Sequence, residues 1–359
     1  MVFTYDILYR AWKQTSRGKS KMSNQIRYKY NLEEHLFDLQ DRLNSKEFTP
    51  SPLRTKEIFI PKYRIAQVPT MEDKIVQHAI CDNYVYEALT KPLIKETAAC
   101  IRRRGSLYAM NLMKENLHAF WRKYKCRPYV LKCDIHSYFD SIPHDRLRRL
   151  ICRYIEDLDV QHIVLRFVDL KDKGLPLGLQ QSKLLANLYL SEMDHKIKEQ
   201  FHCQYYGRYM DDFYIMSNSY SELVELWNWI DDYVKSIGLE LNPKTAIITG
   251  DIDFLGFSFR LTVTGKVVVR MQKSKKQTQK HRLRPITRQI ASGKITAEQA
   301  AASYTGWRVH ASHGNCRNLL IAIDKYFSSQ LSKIGYQLNM KEKQVIICQE
   351  QSQTSQQAQ

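Results

Sequence analysis

The sequence predicts a globular chain of mixed helix and strand, on three observations. Apolar residues recur at helical spacing in long stretches and in short β-rich runs between them, over 359 residues that are 43% hydrophobic. Lys and Arg, 55 in all, outnumber 37 Asp and Glu for a net charge of +18. Such an excess self-repels unless a polyanion or another subunit neutralises it, and it makes nucleic acid the leading partner class. Finally, "CQYYGRYMDDFYIMS" sets two adjacent aspartates, Asp211 and Asp212, inside an aromatic and aliphatic run.

The elements follow in order. In "NQIRYKYNLEEHLFDLQDRLN", Leu32, Leu36, Leu39 and Leu43 keep helical period, which predicts one helix over 24–44. "SPLRTKEIFIPKYRIAQVPT" predicts strands at Lys56–Ile60 and Arg64–Val68 around a turn at Pro61–Tyr63, and "EDKIVQHAICDNYVYEAL" returns to helix. "YVLKCDI" is a β-rich run, "SELVELWNWIDDYVKSIG" an amphipathic helix ended by Gly238, and "AIITG" a strand. "DFLGFSFRLTVTGKVVVRM" reads as strand and hairpin, turning at Thr264–Gly265. From Lys266 to Arg288 there are nine Lys and Arg and no acid, followed by helical sequence, so a boundary is expected near Val269–Lys273. The expected organisation is an N-terminal helical extension over 1–50, a main unit over 51–270, a helical unit over 271–340 and a disordered tail over 341–359. Eight cysteines with no CxxC pair indicate neither a disulfide framework nor a zinc site, and they are expected to be reduced and mostly buried. No run approaches the roughly 18 apolar residues of a membrane span, so no membrane partner and no signal peptide are expected.

A second acidic pair, Asp231-Asp232, serves as a control: it lies among Leu223, Leu226, Trp227, Ile230 and Val234 at helical spacing and belongs on a solvated helix face. Asp211 and Asp212 differ, because their neighbours suit two buried strands with a hairpin turn at the aspartates. Carboxylates there are costly unless a cation neutralises them. Asp134 ends another apolar strand in "YVLKCDIHSYFDSIPHDRL". Strands that each deliver acid at one end can jointly hold hard divalent ions such as Mg²⁺, and two such ions serve phosphoryl transfer.

These segments resemble the reverse transcriptase family. "YMDD" between aromatic strands looks like its catalytic signature, and "KCDIHSYFDSI" resembles its first catalytic-aspartate motif. "GLPLGLQQSKLLANLYLSEMDH" resembles its template and nucleotide motif, "IGLELNPKTAI" its lysine motif and "FLGFSF" its primer grip. Upstream, "IFIPKYRIAQVPTMEDKIVQHAI" and "TAACIRRRGSLYAM" resemble the fingers motifs of bacterial members, so the likeness runs from about residue 25 to about 320. The resemblance implies an α+β right-hand polymerase fold, fingers and palm followed by a C-terminal helical thumb. It implies that Asp134, Asp211 and Asp212, with the backbone carbonyl of Ile135, hold a pair of Mg²⁺ ions, with Mn²⁺ as the alternative. Phe139 matches the aromatic gate that excludes a ribose 2′-hydroxyl and selects dNTPs. Lys62 and Arg64 align with cations that grip the triphosphate, and Lys244 with the residue that protonates pyrophosphate. Gly178, Gln181 and Ser182 are expected against template and nucleotide, and Leu255, Gly256 and Phe257 at the primer end. Arg102, Arg103 and Arg104, and the thumb residues Lys273, Lys275, Lys276, Lys280, Arg282 and Arg284, read as phosphate-backbone contacts.

Departures refine the expectation. Leu177 stands before Gly178 where many retroviral and intron enzymes carry Gln, Lys183 follows Ser182, and three arginines precede Gly105. No maturase or endonuclease segment is expected after the thumb. The resemblance then implies a stand-alone, cytoplasmic bacterial enzyme that copies an associated noncoding RNA into DNA in antiviral defence. The alternatives are the mutagenic enzyme of a diversity-generating retroelement and, from another class, a noncatalytic RNA-binding scaffold. The implied partners are the RNA template, a DNA primer or product and dNTPs, with a second copy or an accessory protein left open.

Overall fold

In the computed structural model, which describes residues 2–18, 23–58, 64–341 and 344–349, the chain divides into two compact units. The first is Met1–Leu112 with Pro128–Ile248, the second Met113–Arg127 with Thr249–Gln359. Residues before 51 belong to the first unit rather than standing apart, and the expected boundary near 270 falls inside the second. The composition shift there marks the start of a helix, Lys273–Ala291, not the edge of a unit.

In the first unit the helix expected over 24–44 is broken into Ser23–Tyr30 and Leu32–Asn44, the latter burying Leu36, Leu39 and Leu43. Strands β1 (Arg54–Ile58) and β2 (Arg64–Val68) pair as an antiparallel hairpin with Ile58 opposite Arg64. Its turn, and Lys62 with it, lies outside the described residues, as does the side chain of Arg64. Thr70 and Asp73 then cap helix Met71–Ile80 reciprocally, satisfying backbone donors at its start.

The site rests on a four-stranded sheet of β3 (Tyr129–Cys133), β4 (Tyr205–Tyr209), β5 (Asp212–Ser217) and β6 (Ala246–Ile248), in the order β4-β5-β3-β6. Every pairing is antiparallel. Leu131, Cys133, Tyr206, Phe213 and Ile215 join a core with the leucines of helix Gln180–Tyr189 and with Leu223, Leu226, Ile230 and Val234 of helix Tyr220–Ser236. Each such side chain contributes about 1.5–3 kcal/mol of burial, which fixes the strand ends that carry the acids. On the outer side of that last helix Asp231 pairs with Lys235, as a solvated acidic pair does.

The second unit contains an antiparallel sheet of β7 (Ile252–Phe254), β8 (Phe257–Leu261) and β9 (Val267–Met271). Leu255 and Gly256 make a two-residue turn with φ of 50° and 85°, the left-handed pair of a type I′ hairpin. Helices Lys273–Ala291, Ala297–Ser312 and Arg317–Ser332 share a separate core around Leu283, Tyr304, Ile323 and Phe327. Part of the expected tail is ordered: β10 (Tyr336–Lys341) pairs with β11 (Gln344–Gln349), whose Val345 and Ile347 enter that core. The cysteines are all free, but only Cys81, Cys133 and Cys316 are buried, so the expectation of mostly buried thiols does not hold.

Candidate active site

Register brings the acids to one sheet end. Cys133 pairs with Phe213 and Tyr209 with Asp212, so Asp134, one residue past β3, lies beside the turn Met210–Asp211. Met210 takes φ 61°, a left-handed conformation that costs a non-glycine residue about 1 kcal/mol or more. The Asp134 and Asp211 carboxyls come within hydrogen-bond reach of each other, and Asp211 is pushed up to about 6, first by loss of solvent and then by the neighbouring Asp134 charge. Asp134 is held from two directions: the Asn242 amide donates to its backbone carbonyl at 2.7 Å, and Asn242 Nδ2 donates to its carboxylate at 3.1 Å.

Asp212 is placed differently. Lys132 and Tyr214 are opposite residues, so Lys132 shares a sheet face with Asp212, and the two form an ion pair. The structure therefore joins two of the three expected carboxylates directly and gives the third a cation of the chain's own. No group of three or more His, Cys, Asp or Glu converges among the described residues. The bridge between Ile135 and Leu241 uses the Asp134 carbonyl and the His136 amide. The Ile135 carbonyl thus points away from that segment, to the side of β5 and its turn. Oxygen donors only, with one carboxyl raised by desolvation and a like charge, are a set that a hard divalent cation would neutralise.

The glycine motif packs on the β2 strand. Gln67 donates its amide to the Leu177 carbonyl at 2.9 Å, and Gly178 has φ 127° with a hypothetical Cβ only 2.2 Å from the Gln67 carbonyl oxygen. Gln77 Oε1 accepts from the Gln180 amide at 2.8 Å, capping the helix that carries Gln181 and Ser182. Gln181 and Ser182 are 1% and 2% exposed, yet neither side chain has a hydrogen-bond partner; nor do Gln67 Oε1 and Gln77 Nε2. Buried polar atoms left unsatisfied in one neighbourhood point to a ligand that completes them. Phe139 is half-buried against Tyr138, with ring centres 5.8 Å apart.

Other expected residues are more dispersed. Lys244 is exposed, its amide bonded to Asn242 Oδ1. Arg104 donates to the carbonyls of Ile94 and Thr97, so it serves the chain internally, while Arg102 lies over the Tyr86 ring and Arg103 is exposed. In the second unit Lys273, Lys275, Lys280, Arg282 and Arg284 are exposed and Lys276 half-exposed on a helix that buries Leu283, Ile286 and Ile290. Arg282 reaches Ser303 and Arg284 reaches Tyr326. Lys132, Asn242 and Gln77 were not singled out from the sequence. Only the Asn-Pro pair before Lys244, a turn signal, hinted at any of them.

The family model of reverse transcriptase, the RNA-dependent DNA polymerase, matches residues 54–259. The group II intron-encoded protein LtrA of Lactococcus lactis subsp. cremoris is 26% identical over 175 residues, covering 45% of this chain and 28% of that one. Protein YkfC of Escherichia coli is 26% identical over 211 residues, 53% of each. Among solved structures, telomerase from Candida albicans in complex with a fragment of telomeric RNA aligns at TM-score 0.48 and 13% identity, over 66% of this chain and 51% of that one. The chain thus spans about half or less of the length of these relatives. Because the matched segment covers more than half of the chain and contains the carboxylate-bearing sheet, the protein belongs to the reverse transcriptase family.

Proposed function

We propose that the protein is an RNA-directed DNA polymerase that copies an associated noncoding RNA into DNA by nucleotidyl transfer, in bacterial antiviral defence. The observation that carries the catalytic half is the pairing of Asp134 with Asp211, whose carboxyl is pushed up to about 6. Asp134, Asp211 and Asp212 with the Ile135 carbonyl would hold a pair of Mg²⁺ ions, which would supply activation of the primer 3′-hydroxyl and neutralisation of the leaving pyrophosphate. Asn242 orients Asp134 for that task, and Lys132 holds Asp212 in an ion pair. Gly178, Gln181 and Ser182 face template and nucleotide, Phe139 excludes the 2′-hydroxyl, and Lys62 and Arg64 grip the triphosphate while Lys244 protonates pyrophosphate. Leu255, Gly256 and Phe257 hold the primer end, and the basic helix face tracks phosphates. The defence role rests on Leu177 before Gly178 and Lys183 after Ser182. No described helix is long and apolar enough to cross a membrane.

The test is to purify the chain with its co-purifying nucleic acid, add Mg²⁺ and labelled dNTPs, and sequence any product. RNase-sensitive DNA synthesis is expected, and Phe139→Val is expected to admit rNTPs that the wild type rejects. A product matching a dedicated noncoding RNA supports the defence reading. A product with scattered changes, copied from a repeat that is nearly duplicated in a neighbouring variable-protein gene, favours the retroelement. No synthesis with the native RNA present would leave the scaffold reading. Asn242→Ala is expected to lower activity about 10–100-fold at limiting Mg²⁺, as loss of an outer-shell partner does, and a Mg²⁺ titration of the rate checks it.

A further inference from the structure

Arg208 is the largest fully buried side chain among the described residues, 1% exposed, on the strand that leads into the Met210–Asp211 turn. Its Nε donates to both Asp194 oxygens at 2.8 and 3.0 Å, and Nη2 donates to Asp194 at 2.5 Å and to the Asn187 carbonyl at 3.1 Å. Asp194, itself 0% exposed, also accepts from Thr97 Oγ1 at 3.0 Å and Tyr206 Oη at 2.6 Å. The remaining nitrogen, Nη1, donates to the Met210 carbonyl at 2.9 Å, with a longer contact to Asn187 Oδ1 at 3.4 Å. On the strand's outer edge the Arg208 amide donates to the Glu96 carbonyl at 3.1 Å and the Arg208 carbonyl accepts from the Ala98 amide at 3.0 Å. Side chain and backbone are thus both fixed.

Burying this ion pair costs desolvation that a well-packed apolar pair would avoid. A core role alone therefore does not account for it. What an apolar pair could not do is direct a charged donor at the first carbonyl of a turn whose leading residue, Met210, is held at φ 61°. We propose that Arg208, oriented by Asp194, is a positioning residue that locks the Met210–Asp211 turn and so holds the Asp211 carboxylate where a divalent cation binds. Arg208 touches neither substrate nor metal; it acts through the Met210 peptide.

The inference rests on the polymerase reading, so the test has one arm that does not need synthesis. Arg208→Lys keeps the charge but loses the planar fork that serves Asp194 and Met210 together. The double variant Arg208→Gln/Asp194→Asn removes both charges and leaves no buried ion unpaired. For each, Mn²⁺ binding to the free protein is titrated by electron paramagnetic resonance, and kcat, dNTP KM and the thermal midpoint are measured. Folded variants with Mn²⁺ affinity and kcat each lowered about 10–100-fold, and dNTP KM within about twofold, are expected. Wild-type Mn²⁺ affinity in either folded variant overturns the proposal, and so does failure of both to fold, which would assign the pair to the core alone. If the wild type binds Mn²⁺ but makes no DNA, the polymerase reading fails while the affinity comparison still decides the role of Arg208.

Discussion

Replacing Asp211 with asparagine is expected to abolish DNA synthesis and, in metal-free buffer at pH 8, to raise the thermal midpoint. The two effects share one cause. The folded environment pushes the Asp211 carboxyl up to about 6, chiefly through lost solvent and the Asp134 charge, so its ionised form is disfavoured in the native state. Stability of the metal-free wild type should therefore be highest where the group is protonated. It falls as pH rises from the unfolded value near 3.8 through about 6, and is flat above that. Each pKa unit is worth about 1.4 kcal/mol, so the penalty at pH 8 is about 1–3 kcal/mol once residual solvent access is allowed for. Asparagine keeps the shape and removes the charge; the two proteins should converge only as pH falls to about 3.8 and below, where the carboxyl is protonated in both folded and unfolded chains. Mg²⁺ should reverse the order, because a ligand that binds only the native wild type stabilises it by mass action. Loss of activity should exceed the roughly 100-fold that loss of an outer-shell partner costs. Thermal melts across pH, with and without Mg²⁺, test this. A wild type more stable than the variant at pH 8 without metal would show that the carboxylates are not held in mutual repulsion.

That coupling was partly legible in the sequence. Aromatic and aliphatic residues on both sides of Asp211-Asp212 required two buried strands, and the turn falls there, at Met210–Asp211. The apolar run before Asp134 likewise fixed β3. What joins them was not legible, because Asn242 meets Asp134 across 108 positions and Arg208 meets Asp194 from a strand to a helix. A charged residue at a buried strand position, two after Tyr206, was the available signal for Arg208: alternation puts both side chains on one face, and a charge there must find a partner. The division into compact units differs from the expected boundary for another reason. Composition changes where the basic helix begins, but β7, β8 and β9 precede it and share its unit, and a hairpin sheet carries no charge signature of where it packs. Part of the expected tail is strand because "QVIICQ" is a short apolar run that pairs with Tyr336–Lys341, close by in sequence.

Gly178→Ala is expected to cost about 2–5 kcal/mol, a large part of the stability of an ordinary domain. Two penalties add. At φ 127° an L side chain is strained by about 1–3 kcal/mol, and a methyl group 2.2 Å from the Gln67 carbonyl oxygen must displace backbone rather than a pliant side chain. Gly250 separates the two: its φ is 106°, but nothing lies within 4 Å of its hypothetical Cβ, so Gly250→Ala incurs the strain alone. The difference between the melting shifts of the two variants therefore measures how tightly the glycine motif is packed on β2. The functional consequence follows from what relaxation would move. Relieving the clash shifts β2 away from Leu177, breaking the Gln67 amide bond and carrying Arg64 with the strand, so surviving Gly178→Ala protein should show a raised dNTP KM. Gly250→Ala should leave that KM unchanged. Equal melting shifts and equal KM values would mean that β2 and the glycine motif are not in close contact, and that the unsatisfied Gln181 and Ser182 beside it do not form a nucleotide site.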